Sequence, residues 1–174
     1  LYEMKLCTYP RTDSRYLTTD MAPGLPMLVD AVARAIPFAA GITIHTDVEQ
    51  VINNSKVTDH HAIIPTQAVR DADLATLPSG ERAVLELVTA RLLCAVGQPY
   101  EYAETTVTVK CAGHSFAAKG CAILSPGWRA TDSRYRAALK DKPDTDKDSE
   151  AKTLPAVSEG QTFALVTAAV KEGK

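Results

Sequence analysis

No stretch of this chain approaches the ~20 consecutive apolar residues that a membrane span requires, although 45% of its 174 residues are hydrophobic. No signal peptide opens it, because Leu1-Tyr2-Glu3-Met4-Lys5 has no basic segment followed by an apolar one. A start on Leu rather than Met reads as a position inside a longer sequence. The four cysteines, Cys7, Cys94, Cys111 and Cys121, form no CxxC pair and have no histidine cluster beside them. That argues against zinc and for a reducing, cytoplasmic setting. A basic balance is also missing. The net charge is −2, and residues 1–70 hold six Lys and Arg against seven Asp and Glu. Proteins that bind nucleic acid through a broad basic face show the opposite balance, so any such contact here must rest on a few placed cations.

What the chain does contain is enough apolar residue for one sizeable core or two small ones. Leu25, Leu28, Val29, Val32 and Ile36 recur at helical spacing and predict an amphipathic helix ending near Pro37. Asp47–Asn53 reads as a short helix broken by Asn53-Asn54-Ser55, and Pro65 marks a boundary after Asp59. Ser79 reads as an N-cap with Glu81 in the first turn, followed by an apolar stripe of Val84, Leu85, Val88, Leu92, Ala95 and Val96 that Gly97 and Pro99 stop. The character then changes. Thr105–Val109 alternates and is β-branched, Ala112-Gly113-His114 reads as a turn, and Ser115–Leu124 returns as a second strand. Gln161–Val170 reads as one more strand. Asp141–Lys152 offers almost nothing to bury and reads as a mobile loop. The fold class expected is α+β, with a mostly helical unit over 1–98 and a β-rich unit over 99–174.

The densest chemistry lies in Tyr9-Pro10-Arg11-Thr12-Asp13-Ser14-Arg15-Tyr16-Leu17. Pro10 biases Tyr9 away from helix, so the phenol should sit on extended or loop backbone. A guanidinium matches phosphate geometry. A phenol can form a covalent intermediate, but with an ordinary pKa of about 10 it needs a neighbouring cation or base. The alternative is a turn in which Asp13 and Ser14 cap a following element and Tyr9 packs in the core. On residue types alone that alternative takes precedence, since short motifs carry many false positives.

This segment, however, resembles the active-site segment of type IA DNA topoisomerases in their topoisomerase III form. The resemblance implies that Tyr9 attacks a DNA phosphodiester and becomes linked to the 5′ phosphate, storing the bond energy so that resealing needs no ATP. It implies that Arg11 holds the scissile phosphate, with Thr12, Asp13 and Ser14 supporting the site. A second segment, Asp59-His60-His61-Ala62-Ile63-Ile64-Pro65-Thr66, resembles the family's histidine motif and aligns His60 with its active-site histidine. His61 takes a less defined supporting or DNA-binding place. Pro99–Thr106 resembles the opening of the family's β-rich arch, and Pro126-Gly127-Trp128-Arg129-Ala130 a later arch segment, with Trp128 expected as a core aromatic. The helical unit is then expected to be winged-helix-like. The family's Mg²⁺ is held by acidic residues of a Toprim domain, and nothing here resembles one. The resemblance therefore implies an internal piece of a bacterial, nucleoid-associated enzyme. Its partners are single-stranded DNA and the remaining domains, Toprim and the rest of the arch. It binds no metal itself and is inactive alone.

Two rival readings stand beside this one. Asp59-His60-His61 also matches the signature of DHH phosphoesterases, with Asp71-Ala72-Asp73 as the nearby candidate for further metal ligands. Alternatively, the helical unit is a non-catalytic, winged-helix-like nucleic-acid-binding module in which Tyr9 is structural. One internal echo, Thr12–Tyr16 repeated as Thr131–Tyr135, lacks a tyrosine and an arginine at the matching upstream offsets, Trp128 and Ala130, and is read as coincidence.

Overall fold

Pro37 decides where the first helix ends. In the computed structural model, which describes residues 1–42, 46–139 and 154–163, helix α1 spans Leu25–Ala35, and Ile36 leaves it on extended backbone (φ −96°, ψ 123°). A proline's ring disfavours the helical region for the residue before it. The face of α1 that the sequence predicts is the buried one, with Leu25, Leu28, Val29 and Val32 inside. It packs on the short turn Gln67–Arg70, which contributes the fully buried Val69. Asp47–Asn53 forms only a single 3-10 turn, Glu49–Val51, and a second turn follows at Asn54–Lys56.

Helix α2 spans Ser79–Ala95. Ser79 is its first helical residue and not its cap; Pro78 holds that place, and no side chain bonds the free N–H groups. A proline there fixes the turn geometry that the serine was expected to supply. The inward stripe is also rotated from expectation. Leu85, Thr89, Leu92 and Leu93 are buried while Val84 and Ala95 are exposed. Leu85, Leu92 and Leu93, with Leu6, Cys7, Leu17, Ile36, Val51, Ile64 and Val96, belong to one core.

Strands β1 (Glu101–Cys111) and β2 (His114–Ser125) pair antiparallel as a hairpin. Its turn is Ala112-Gly113, both with positive φ (48° and 82°), the two-residue form whose twist matches the strands it joins. One face carries Val107 and Val109 opposite Ala118 and Phe116; the other carries Thr106, Thr108 and Lys110 opposite Lys119, Ala117 and Ser115. Both faces are largely exposed.

After the hairpin comes a helix the sequence reading did not contain. Helix α3, Trp128–Ala138, packs on α2 and on the turn Pro37–Ala39, with Tyr135 edge-on to Phe38 at 5.2 Å. Trp128 opens this helix and is 37% exposed, so it is no core aromatic. Tyr135 fills that part of the core instead. Of the strand expected at Gln161–Val170, residues 161–163 have no regular structure, and the rest lies outside the described residues, as does the loop expected at Asp141–Lys152.

The hairpin's two ends meet. Trp128 N–H donates to the Gln98 carbonyl at 2.8 Å. Gly127 has φ +46°, and a Cβ there would lie 2.1 Å from the Pro99 carbonyl oxygen. Gly127→Ala should therefore cost about 1–3 kcal/mol in backbone strain before the clash is counted. Gly80→Ala in the first turn of α2 meets nothing within 4 Å and should stabilise by roughly 0.4–1 kcal/mol. Urea unfolding followed by Trp128 fluorescence should move the two midpoints in opposite directions; an unchanged midpoint for Gly127→Ala contradicts this account.

Burial pushes the Cys94 thiol up to about 11, helped by the Asp132 carboxylate and opposed by Arg91. Its Sγ lies 3.7 Å from the Trp128 carbonyl. At pH 8 a thiol with that pKa is thiolate in about one molecule in a thousand, and only the thiolate reacts. Iodoacetamide should modify exposed Cys111 at pH 8 and spare Cys94, with Cys94 labelling rising as the pH approaches 11. Peptide mass spectrometry checks this, and equal labelling rates at pH 8 contradict it.

Candidate active site

Residues 8–16 form a loop with both ends fixed to one residue. At the entering end, the Thr8 hydroxyl donates to the Ala62 carbonyl at 3.3 Å and accepts from Ile64 N–H at 3.0 Å, while Thr8 N–H donates to the Ile64 carbonyl at 2.9 Å. At the leaving end, Ala62 N–H donates to the Tyr16 carbonyl at 2.9 Å. Outside these bonds, Cys7 bridges Pro65, and Leu17 bridges Ile52. The Thr66 hydroxyl donates to the carbonyl of Lys5, whose φ of 58° turns the chain into this path. The backbone from Tyr9 to Tyr16 is irregular, as Pro10 predicts.

Within the loop, hydroxyls replace a regular ladder. Thr12 Oγ1 donates to the His60 carbonyl at 2.8 Å and accepts from Ser14 N–H at 3.1 Å. Ser14 Oγ donates to the Lys56 carbonyl at 2.8 Å and accepts from Tyr16 N–H at 3.1 Å. These bonds hold the His60 segment beneath Tyr9. The Tyr9 and His60 rings lie 4.5 Å apart at 53°, and Tyr2 meets Tyr9 edge-on at 5.2 Å. Tyr9 is half-buried and His60 exposed.

Arg11, Thr12, Asp13, Thr58, Asp59 and His60 line one open cleft of about 390 Å³. Arg11 is exposed, and among the described residues no ion pair or hydrogen bond engages its guanidinium. The structure thus brings Tyr9, Arg11, Thr12, Asp13 and His60 together. Ser14 works as a backbone tie, and His61 turns Nδ1 to the Ala62 carbonyl at 2.8 Å. A carbonyl only accepts, so Nδ1 carries the proton. Tyr2, Thr58 and Asp59 stand at the site without having been assigned to it. Asp59 was legible as the neighbour of His60; nothing in the sequence pointed to Tyr2.

Among the described residues no group of three or more His, Cys, Asp or Glu is placed to hold a metal ion. Asp71 pairs with Arg70 at 3.2 Å, and Asp73 accepts from Ala75 N–H at 3.1 Å. Both are engaged locally, and among the described residues the metal-ligand cluster of the DHH reading is not assembled. Likewise, no described helix is long and apolar enough to cross a membrane.

The sequence profile of the DNA topoisomerase family matches residues 1–174. The chain belongs to the DNA topoisomerase family. It is 37% identical to DNA topoisomerase 3 of Bacillus subtilis (strain 168) over 183 aligned residues, covering 100% of this chain and 24% of that protein. It is also 37% identical to DNA topoisomerase 3 of Bacillus licheniformis, covering 95% of this chain and 22% of that protein. Against DNA topoisomerase 3 of Bacillus cereus the identity is 34%, with the same coverage. The chain thus spans about a quarter of the length of these topoisomerase relatives.

Thr8→Val deletes the hydroxyl that ties the loop to Ile64 and Ala62 and leaves Ile64 N–H without that acceptor. The expected cost is about 1–3 kcal/mol, read as a lower unfolding midpoint and faster hydrogen exchange at the Ile64 amide. Thr8→Ser keeps the oxygen and should keep the protection. Equal exchange in both variants would mean that the hydroxyl does not hold the loop.

Proposed function

We propose that this chain carries the nucleophile's half of a type IA topoisomerase site. The observation that carries the reading is the Tyr9 ring against His60, which lines a cleft together with an unengaged Arg11. In the reaction, the Tyr9 phenolic oxygen bonds to a phosphorus of single-stranded DNA, and its proton passes to a base. The bond from phosphorus to the 3′ oxygen breaks, and that oxygen leaves as a 3′ hydroxyl after taking up a proton. Tyr9 is left joined to the 5′ phosphate. Another strand passes, the 3′ hydroxyl attacks the phosphotyrosine, and the phenol is released. The number of bonds is conserved, so no ATP is consumed.

Arg11 is assigned to the scissile phosphate, where its planar donors stabilise charge that grows in the transition state. His60 is assigned a phosphate contact and the placing of the Tyr9 ring. Thr12, Asp13 and Ser14 hold the loop, and His61 orients its own segment. The helical body around Tyr9 is read as winged-helix-like, and the hairpin as the beginning of a β-rich arch. The enzyme would act in the bacterial cytoplasm, where the DNA lies.

The cleft alone is poorly charged for an anion. His60 aside, its lining holds one positive side chain, Arg11, and two negative ones, Asp13 and Asp59. A phosphate would need added positive charge. We assign that to Mg²⁺ held by a Toprim domain of the same polypeptide. In the complete parent enzyme, Tyr9→Phe should abolish the covalent protein–DNA adduct and plasmid relaxation while leaving single-strand binding within about twofold, because only the phenolic oxygen is lost. The 174-residue chain alone should relax no plasmid with or without Mg²⁺. An adduct formed by the Tyr9→Phe enzyme, or relaxation by the chain alone, overturns the corresponding assignment.

A further inference from the structure

We infer that the base of the hairpin is a stacking platform for unpaired nucleobases, distinct from the cleft at Tyr9. The inference rests on the reading that the chain acts on single-stranded DNA, and it locates where part of the affinity arises.

Tyr100 and Tyr102 lie two residues apart on the same side of the chain, and their rings stack at 5.4 Å and 29°. The Arg129 guanidinium covers the Tyr100 ring at 4.1 Å and lies 5.9 Å from the Trp128 ring. The result is a short ladder of flat groups, Tyr102, Tyr100, Arg129 and Trp128, contributed by both ends of the hairpin. It is held by backbone, through the Trp128-to-Gln98 hydrogen bond and the close approach of Gly127 to Pro99. Tyr102 is 54% exposed and Trp128 37% exposed, so ring surface remains available. Every base has a π-face, and aromatic rings beside cations are how proteins bind single strands without reading sequence.

The surroundings fit a strand continuing from the platform. Tyr102 belongs to the polar face of the hairpin, shared with Thr106, Thr108 and Lys110 and, across the register, Lys119. Lys119 stands opposite Thr106, roughly 13 Å along from Tyr102, and Lys110 lies farther in the same direction. Glu104 sits between them and pairs with Lys119 at 3.4 Å on an exposed surface, a contact that water screens and a phosphate can replace. The charge balance also differs from that of the whole chain. Residues 99–139 hold five Lys and Arg against three Asp and Glu, while the chain as a whole is at −2. The site that would cleave the strand lacks net positive charge; here the surplus comes from the arginines of α3, Arg129 of the platform among them, while the two strands balance Lys110 and Lys119 against Glu101 and Glu104.

Trp128 is the only tryptophan in the 174 residues, so its fluorescence reports on the platform alone. The purified chain is titrated with a short oligothymidylate, with an abasic oligomer of equal length, and with a blunt duplex. Saturable quenching by the oligothymidylate is expected, with the abasic oligomer and the duplex binding more weakly, because stacking needs free bases. Tyr102→Ala and Tyr100→Ala should each weaken binding by roughly 5- to 150-fold, the range expected for one lost base stack. Arg129→Lys keeps the charge and loses the plane, and should fall in between. The same substitutions in the complete parent enzyme, followed by anisotropy of a labelled strand, give a second readout. Absence of quenching, equal quenching by the abasic oligomer or the duplex, or unchanged affinity in Tyr102→Ala each overturns the platform. Quenching with no Tyr9-dependent cleavage in the parent would overturn the proposed function alone. Cleavage with no quenching would overturn the platform alone.

Discussion

The whole candidate site hangs on one clasp. The peptide at Ala62 accepts from Thr8 on its carbonyl side and donates to Tyr16 on its amide side. An irregular loop of this length has no ladder of its own, and each buried backbone group must find a partner or cost the fold stability. Here the partners come from a segment about fifty residues downstream. The consequence is geometric: the loop cannot move relative to His60 without breaking several hydrogen bonds together. Tyr9 is therefore placed by the Ala62 segment, and Arg11 and Asp13 are presented outward because Thr12 and Ser14 are tied inward. Side chains alternate between tether and cleft lining, as on an extended backbone.

The same pentapeptide, Thr-Asp-Ser-Arg-Tyr, shows how far local sequence decides structure. At 12–16 it is irregular; at 131–135 it lies within α3. In the first copy Asp13 lines an open cleft. In the second, Asp132 is mostly covered and meets Arg136 at 2.7 Å and Arg91 at 3.6 Å. Tyr16 lies beneath the Lys56 ammonium at 4.9 Å, whereas Tyr135 is buried against Phe38. Intrinsic helix preference is weak and tertiary context overrides it. Pro10 and the Ala62 clasp hold one copy out of helix; the α2 surface and Phe38 draw the other into it.

This difference marks the limit of what could be read without coordinates. Helix α1, the body of α2 and the hairpin were legible because period and punctuation agreed: a 3.6 repeat ended by proline or glycine, and a β-branched run ended by a two-residue turn. Helix α3 was not legible, since its pentapeptide reads as polar loop and its inward residues, Thr131 and Tyr135, are too few to show a period. The rotated face of α2 escaped for a similar reason, because Thr89 occupies an inward position that a hydrophobic count assigns to solvent. In the site, the loop conformation of Tyr9 followed from Pro10. The approach of His60 followed from no local rule and was expected only through family resemblance. Tyr2, on the other side of the Tyr9 ring, had no signal at all.

The crossing at Gln98 and Trp128 has a further consequence for how such a chain can change over time. Because the two ends of the hairpin are hydrogen-bonded neighbours, closing the loop between α2 and α3 is accomplished at its root, whatever lies beyond. The entropy of closure grows only slowly with the length of the excursion, and the turn Ala112-Gly113 faces open space. Residues gained or lost in pairs at the tip preserve register and the two-sided pattern, while the packing of α3 on α2 is untouched. The arm is thus free to vary in reach, and Gly127 is the position where such variation stops.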